Sequence, residues 1–153
     1  MTRFLLRIPV PWVFVLTYLI GAGPERIDYP RPGWLSSNVV GVAGTVLFVA
    51  GVVLAGWGWL IFHRHRTTRV PGQASTTLVT WGPYRYMRNP MYTGLTMAYL
   101  GEAGMLHQLW PMFLLPLTLA YVNRNVIPLE ERRLLQVFGE AYESYRSIVQ
   151  RWL

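Results

Sequence analysis

From Val39 to Phe62 the chain runs 24 residues without a charged side chain. As a helix this run would reach about 36 Å, enough to cross roughly 30 Å of hydrocarbon with some tilt. A soluble fold of 153 residues seldom needs such a helix. Composition agrees: 52% of residues are hydrophobic and 14% are charged, and the charges gather in a few short segments. These features predict an all-α polytopic membrane protein.

Four apolar segments can be drawn, at about 8–23, 39–62, 90–106 and 109–127. The first is short, and Pro9 and Pro11 should delay its helical part. Its pattern of Arg3 and Arg7, an apolar run and then Gly21-Ala22-Gly23 also resembles a secretion signal. No soluble domain follows for export, so an uncleaved anchor is the expected form. Pro116 inside the fourth segment predicts a kink, and residues 105–108 leave room only for a tight hairpin. Arginine sets the orientation: Arg3 and Arg7, then Arg64, Arg66, Arg69, Arg85 and Arg88, then Arg124, Arg132, Arg133, Arg146 and Arg151 all fall on one side of a four-span arrangement. The positive-inside rule therefore places both termini, the 63–89 loop and the polar clusters at the cytoplasmic face.

Gly44, Gly51, Ala55 and Gly58 share one face of the second segment. That face fits close helix packing, or a groove for a cofactor or lipid chain. Beyond Pro128 a C-terminal segment, 128–153, carries Leu134, Phe138, Ala141, Tyr145 and Ile148 at amphipathic spacing, with Gly139 set to break the helix or pack closely. Glu130 and Glu131 sit in its first turn, where carboxylates favour the helix dipole. All fourteen basic residues are arginine, which suits phosphate or carboxylate recognition, although genomic base composition is the readier explanation. With no cysteine there is no disulfide or thiolate chemistry. His63 and His65 diverge on a helix and read as interfacial residues, so no metal is expected, and nothing points to nucleic acid.

The densest chemistry lies between Thr76 and Gly94. Asn89-Pro90 is a strong helix start, placing Arg85 and Arg88 at the mouth of the third segment. Arg88-Asn89-Pro90-Met91-Tyr92-Thr93-Gly94, together with the run from Glu130 to Tyr145, resembles the isoprenylcysteine carboxyl methyltransferase and phospholipid methyltransferase group of integral membrane enzymes over about residues 63–153. The resemblance implies S-adenosylmethionine as cofactor. By position, it implies contacts from Thr76, Thr77, Leu78, Val79, Tyr84, Asn89, Pro90, Met91, Tyr92 and Glu130. The chemistry suits that ligand: Tyr84 and Tyr92 offer rings to a cation or adenine, Glu130 takes ammonium or hydroxyl donors, and the amides at the helix start can receive a carboxylate.

Glu130, Glu131 and Arg88 are the candidate catalytic groups, and Arg85 and Arg124 the candidate anchors for an anionic acceptor or lipid phosphate. Two positions depart from the group. Asn89 stands where histidine is usual and does not titrate near neutrality. Val126 stands where the isoprenylcysteine enzymes carry an arginine, and Arg124, two residues away, would face elsewhere on a continuous helix. The expected partners are membrane lipids and a lipophilic methyl acceptor, either carboxylate or amine. A membrane reductase using a nicotinamide cofactor and a small transporter or channel subunit are the alternatives.

Overall fold

The fold is that of a computed structural model describing residues 9–27, 30–65 and 77–153, the side chains of residues 62 and 65 apart. Among the described residues there is no β-strand, only helices: α1 (Val10–Ala22), α2 (Asn38–His65), α3 (Pro90–Met105), α4 (Trp110–Tyr121), α5 (Ile127–Phe138) and α6 (Glu140–Ile148). Pro11 lies in the first turn of α1, where its missing amide loses no bond. Ser37 starts α2 by accepting from the Val40 amide at 3.3 Å. The hairpin between α3 and α4 is as tight as expected, with the Gln108 amide donating to the Ala103 carbonyl at 2.8 Å.

Two helical stretches are long and apolar enough to cross a bilayer, Asn38–Ile61 and Trp110–Phe138. Helices α1 and α3, expected as two further spans, have 13 and 16 residues, about 20 and 24 Å, and are too short to cross upright. Much of α2 is uncovered: Val39, Val42, Val46, Val49, Val53 and Trp57 are exposed. An apolar surface of this extent belongs in lipid.

The small residues of α2 do not leave a groove. A Cβ added at Gly51 would come within 2.6 Å of the Gly94 carbonyl oxygen, and one at Gly94 within 2.5 Å of the Ala55 amide nitrogen. One at Gly101 would lie 2.7 Å from the Gly44 oxygen. Helices α2 and α3 thus meet backbone to backbone, as expected where lipid tails compete with large apolar side chains but not with close approach. On its other side α3 packs on α1 and α4 through Phe14, Tyr18, Tyr92, Tyr99, Ala103 and Leu115. Tyr99 meets Phe14 and Tyr18 edge to face, with centroids 6.3 and 5.0 Å apart. The Thr118 hydroxyl donates to the Thr17 hydroxyl at 2.9 Å, joining α4 to α1.

The helix runs on through Pro128. A π-helical turn, Val122–Val126, joins α4 to α5, closed by an Ile127 amide to Val122 carbonyl bond. In an α-helix the Pro128 ring would press on the carbonyl four residues back and withhold a donor from it. The wider turn relieves that conflict, while the Asn125 side chain donates to the Tyr121 carbonyl at 3.1 Å.

Gly139 does break the tail, at φ +53° and ψ −127°, and a Cβ there would meet nothing within 4 Å. The break shifts the phase of the apolar face. Tyr142 is buried in α6, whereas Ala141 and Ile148, expected on that face, are exposed. Gly139→Ala should cost about 1–3 kcal/mol from backbone strain alone, read as a lower thermal midpoint with the tail loosened first in hydrogen exchange. An unchanged midpoint would mean that the turn tolerates a side chain.

Candidate active site

The loop before α3 is held between the end of α2 and the C-terminal tail. A 3-10 turn, Gly82–Arg85, sets Tyr84 so that its hydroxyl donates to the Gly58 carbonyl at 3.2 Å, while the Tyr145 hydroxyl donates to the Tyr84 carbonyl at 2.6 Å. The tail then turns back along the loop. The Arg88 amide donates to the Gln150 carbonyl at 2.8 Å, and Met87 pairs with Gln150 in a parallel bridge. Burial pushes the Tyr145 phenol up to about 12 and raises that of Tyr84, with the nearby Tyr145 and Glu130 adding to the latter. Both therefore stay protonated donors near neutrality.

Asn89 precedes α3, but its side chain makes no cap bond. Its amide donates instead to the Arg151 carbonyl at 3.0 Å, so the expected cap has become a tie to the tail. Pro90 does take the first turn, and the Asn89 carbonyl receives the Thr93 amide at 3.0 Å.

Glu130 and Glu131 are adjacent yet have different surroundings, because one residue is about 100° of helix. Glu131 is sheltered and clamped. Arg151 donates Nη2 to Oε2 at 2.7 Å and Nε to Oε1 at 3.1 Å, and Arg88 donates Nη2 to Oε1 at 3.1 Å. Arg88 also donates Nη1 to the Arg146 carbonyl at 2.8 Å. Glu130 is exposed and accepts the Tyr92 hydroxyl at 2.7 Å. The neighbouring glutamates thus divide into a braced anion and an accessible one.

On the flank of α3 beside this pair lies a cleft of about 480 Å³. Thr93, Thr96 and Met97 of α3 face Leu119 and Ala120 of α4, and Asn123, Arg124 and Trp152 close one end. Asn123 Oδ1 accepts from Arg151 Nη1 at 3.0 Å and Trp152 Nε1 at 3.3 Å. Arg124 lines the cleft while Val126 packs against the core, so the two face different ways, as expected of residues two apart.

Of the other expected residues, Leu78, Val79 and Met91 are half-buried, and Thr77 and Arg85 exposed; Thr76 lies outside the described residues. His63 is exposed and stacks on Trp59, centroids 4.9 Å apart. No group of metal-ligating side chains occurs among the described residues. Sequence reasoning missed Asn123, Tyr145, Arg151 and Trp152. Tyr145 was visible only as part of the amphipathic face and Arg151 only as one of the tail arginines.

The phospholipid methyltransferase family model matches residues 39–141. The chain is 30% identical over 140 residues to the cobalt-zinc-cadmium resistance protein CzcN of Cupriavidus metallidurans, covering 88% of this chain and 58% of the relative. It is 31% identical over 132 residues to a probable protein-S-isoprenylcysteine O-methyltransferase of Oryza sativa subsp. indica, covering 85% and 65%. To the protein-S-isoprenylcysteine O-methyltransferase of Schizosaccharomyces pombe it is 38% identical over 72 residues, covering 47% and 30%. The chain thus spans 58% and 65% of the length of the first two relatives. No solved structure matches. The two glutamates, the Asn-Pro helix start and the tail that ties them together therefore sit on a chain that belongs to the phospholipid methyltransferase family.

Proposed function

We propose that this protein is a membrane methyltransferase that moves a methyl group from S-adenosylmethionine to a lipophilic carboxylate or amine. Family membership supports the reaction class. The observation that carries the site is the exposed Glu130 carboxylate, held by the Tyr92 hydroxyl at 2.7 Å beside a braced arginine pair. The donor set fits the cofactor. Tyr84 presents aromatic surface, Tyr92 is buried and acts through its hydroxyl on Glu130, Glu130 offers an anion for ammonium or ribose hydroxyl donors, and Thr77, Leu78, Val79, Asn89, Pro90 and Met91 form the surrounding loop and helix start.

When bound, the cofactor supplies an electrophilic methyl on a sulfonium, whose bonding pair stays with sulfur as the new bond forms. The protein has to orient the acceptor and exclude water. Tyr92 positions Glu130, and the Glu131 clamp holds the tail over the loop. A carboxylate acceptor needs no proton removed, whereas an ammonium acceptor must first lose one, for which Glu130 is the accessible base.

In this reading α1 and α3 complete a four-helix membrane domain, with both termini and the site at the cytoplasmic face. Because the small-residue face of α2 is filled by α3, an acceptor arriving from the bilayer has its lateral opening at the α3–α4 cleft.

The decisive experiment is calorimetry with S-adenosylmethionine and, separately, reduced nicotinamide cofactors. Wild type should bind the former alone. Glu130→Gln removes a charge-assisted contact worth about 1.5–3 kcal/mol and should weaken binding about ten- to a hundredfold. Tyr92→Ala should do likewise. Nicotinamide binding in place of S-adenosylmethionine would overturn the reading, and unchanged affinity in Glu130→Gln would return that residue to its helix-start role. Orientation has its own test: cysteines replacing exposed Ser147 and Leu106 should label with an impermeant reagent from opposite sides, the first from the cytoplasm. Labelling from one side would refute the four-span orientation.

A further inference from the structure

The loop before α3 carries two aromatic side chains to which the site gives no role. Trp81 and Tyr86 flank the Gly82–Arg85 turn, and both are exposed, Tyr86 at 71%. The turn itself is seated against the end of α2. At Gly82, where φ is +63°, a Cβ would lie 2.9 Å from Ile61 Cδ1 and 3.8 Å from Trp57 Cζ2. Trp57 belongs to the uncovered face of α2, and Trp59 is exposed as well.

Helix rise sets the depth of this turn. Trp57 and Trp59 lie about 29 and 32 Å along the axis from Asn38, the first residue of α2. A helix that enters roughly 30 Å of hydrocarbon near Asn38 therefore leaves it at these tryptophans. Gly82 packs at that level, so Trp81 and Tyr86 stand where acyl chains give way to head groups, the depth that amphipathic rings favour. In the chain they alternate with residues of the proposed cofactor site: Thr77, Leu78 and Val79 precede Trp81, and Tyr84 lies between the two rings.

Resting on the methyltransferase reading, we propose that Trp81 and Tyr86 anchor this loop in the lipid interface beside α2, and that the bilayer thereby holds the cofactor loop in its binding conformation. On its inner side the loop is tied to protein, through Tyr84 to Gly58 and Tyr145 and through the Arg88 amide to Gln150. Lipid supplies the restraint on its outer side, continuous with the lipid-facing surface of α2. Cofactor affinity then depends on the membrane as well as on the residues that touch the cofactor.

The test uses the full chain in phospholipid nanodiscs. The sequence has no cysteine, so nitroxides on Trp81→Cys, Tyr86→Cys and Ser147→Cys each report one depth. The first two should be relaxed by oxygen in preference to a water-soluble nickel chelate, and Ser147→Cys the reverse. S-adenosylmethionine affinity is then compared by calorimetry. The double variant Trp81→Ser/Tyr86→Ser should bind about tenfold more weakly if its loop is seated about a tenth of the time, and should exchange the Arg88 amide faster. Trp81→Tyr/Tyr86→Trp, which swaps the rings but keeps them amphipathic, should match wild type, and so should Trp34→Ser, exposed before the other end of α2. Chelate access at positions 81 and 86 equal to that at 147, or full affinity in the double serine variant of a wild type that binds the cofactor, overturns this inference alone. A wild type that binds no S-adenosylmethionine, with both labels sheltered in lipid and Arg88 exchange faster in the double serine variant, overturns the methyltransferase reading and leaves the anchor standing.

Discussion

Gly101→Ala should destabilise the protein by on the order of 3 kcal/mol, a large effect for one methyl group. The added carbon would sit 2.7 Å from both the Gly44 oxygen and the Phe48 Cα. These are backbone atoms of α2, so no side-chain rotation relieves the contact, and the helices must separate along their length. Gly94→Ala should behave alike, its Cβ 2.6 Å from the Gly51 oxygen. Gly56 is the control because a Cβ there meets nothing within 4 Å. Gly56→Ala should be neutral, or stabilising by up to about 1 kcal/mol through helix propensity. Thermal midpoints in detergent rank the three, and a Gly101→Ala midpoint at the wild-type value would mean that the two helices do not pack as described.

Glu131→Ala should be the most damaging change at the site. It strands two guanidiniums, Arg88 with 12% and Arg151 with 31% of the side chain exposed. Removing one partner of a buried pair costs about 3–5 kcal/mol and of a surface pair about 0–1. This half-sheltered triad should fall between, at about 2–3 kcal/mol. The loss should localise: faster exchange at the Arg88 amide, which donates to Gln150, and weaker S-adenosylmethionine binding with the carboxylate of Glu130 intact. Glu131→Gln should recover shape but little strength. If Glu131→Ala left both exchange and cofactor affinity unchanged, the clamp would be incidental to the site.

The division of labour between these glutamates was hidden in the sequence, where both read as first-turn carboxylates. Which one faces the arginines depends on a tail some twenty residues away, and pairings at that distance carry no periodic signal. The α2 run was legible because a long stretch without charge has few other homes, and the Gly139 break because glycine favours φ values that other residues avoid. The joint at Pro128 was half legible. Proline flagged a change of character there, but not the π-helical turn before it, which sits between Val122 and Ile127, both buried in the core. Asn89 was a plausible cap, but its side-chain nitrogen donates to the Arg151 carbonyl and its oxygen makes no cap bond.

The interlocked backbones of α2 and α3 also assign the motions. Two helices keyed together by glycines cannot roll or slide past one another without collision, so they should move as one rigid leaf. Helix α4 packs chiefly on α1, where Gly21 lies against the Pro111 backbone, and these two form the other leaf. Widening of the cleft is then a hinge motion of the second leaf against the first. A crosslink from α3 to α4 should trap it, while one from α2 to α3 should leave it free.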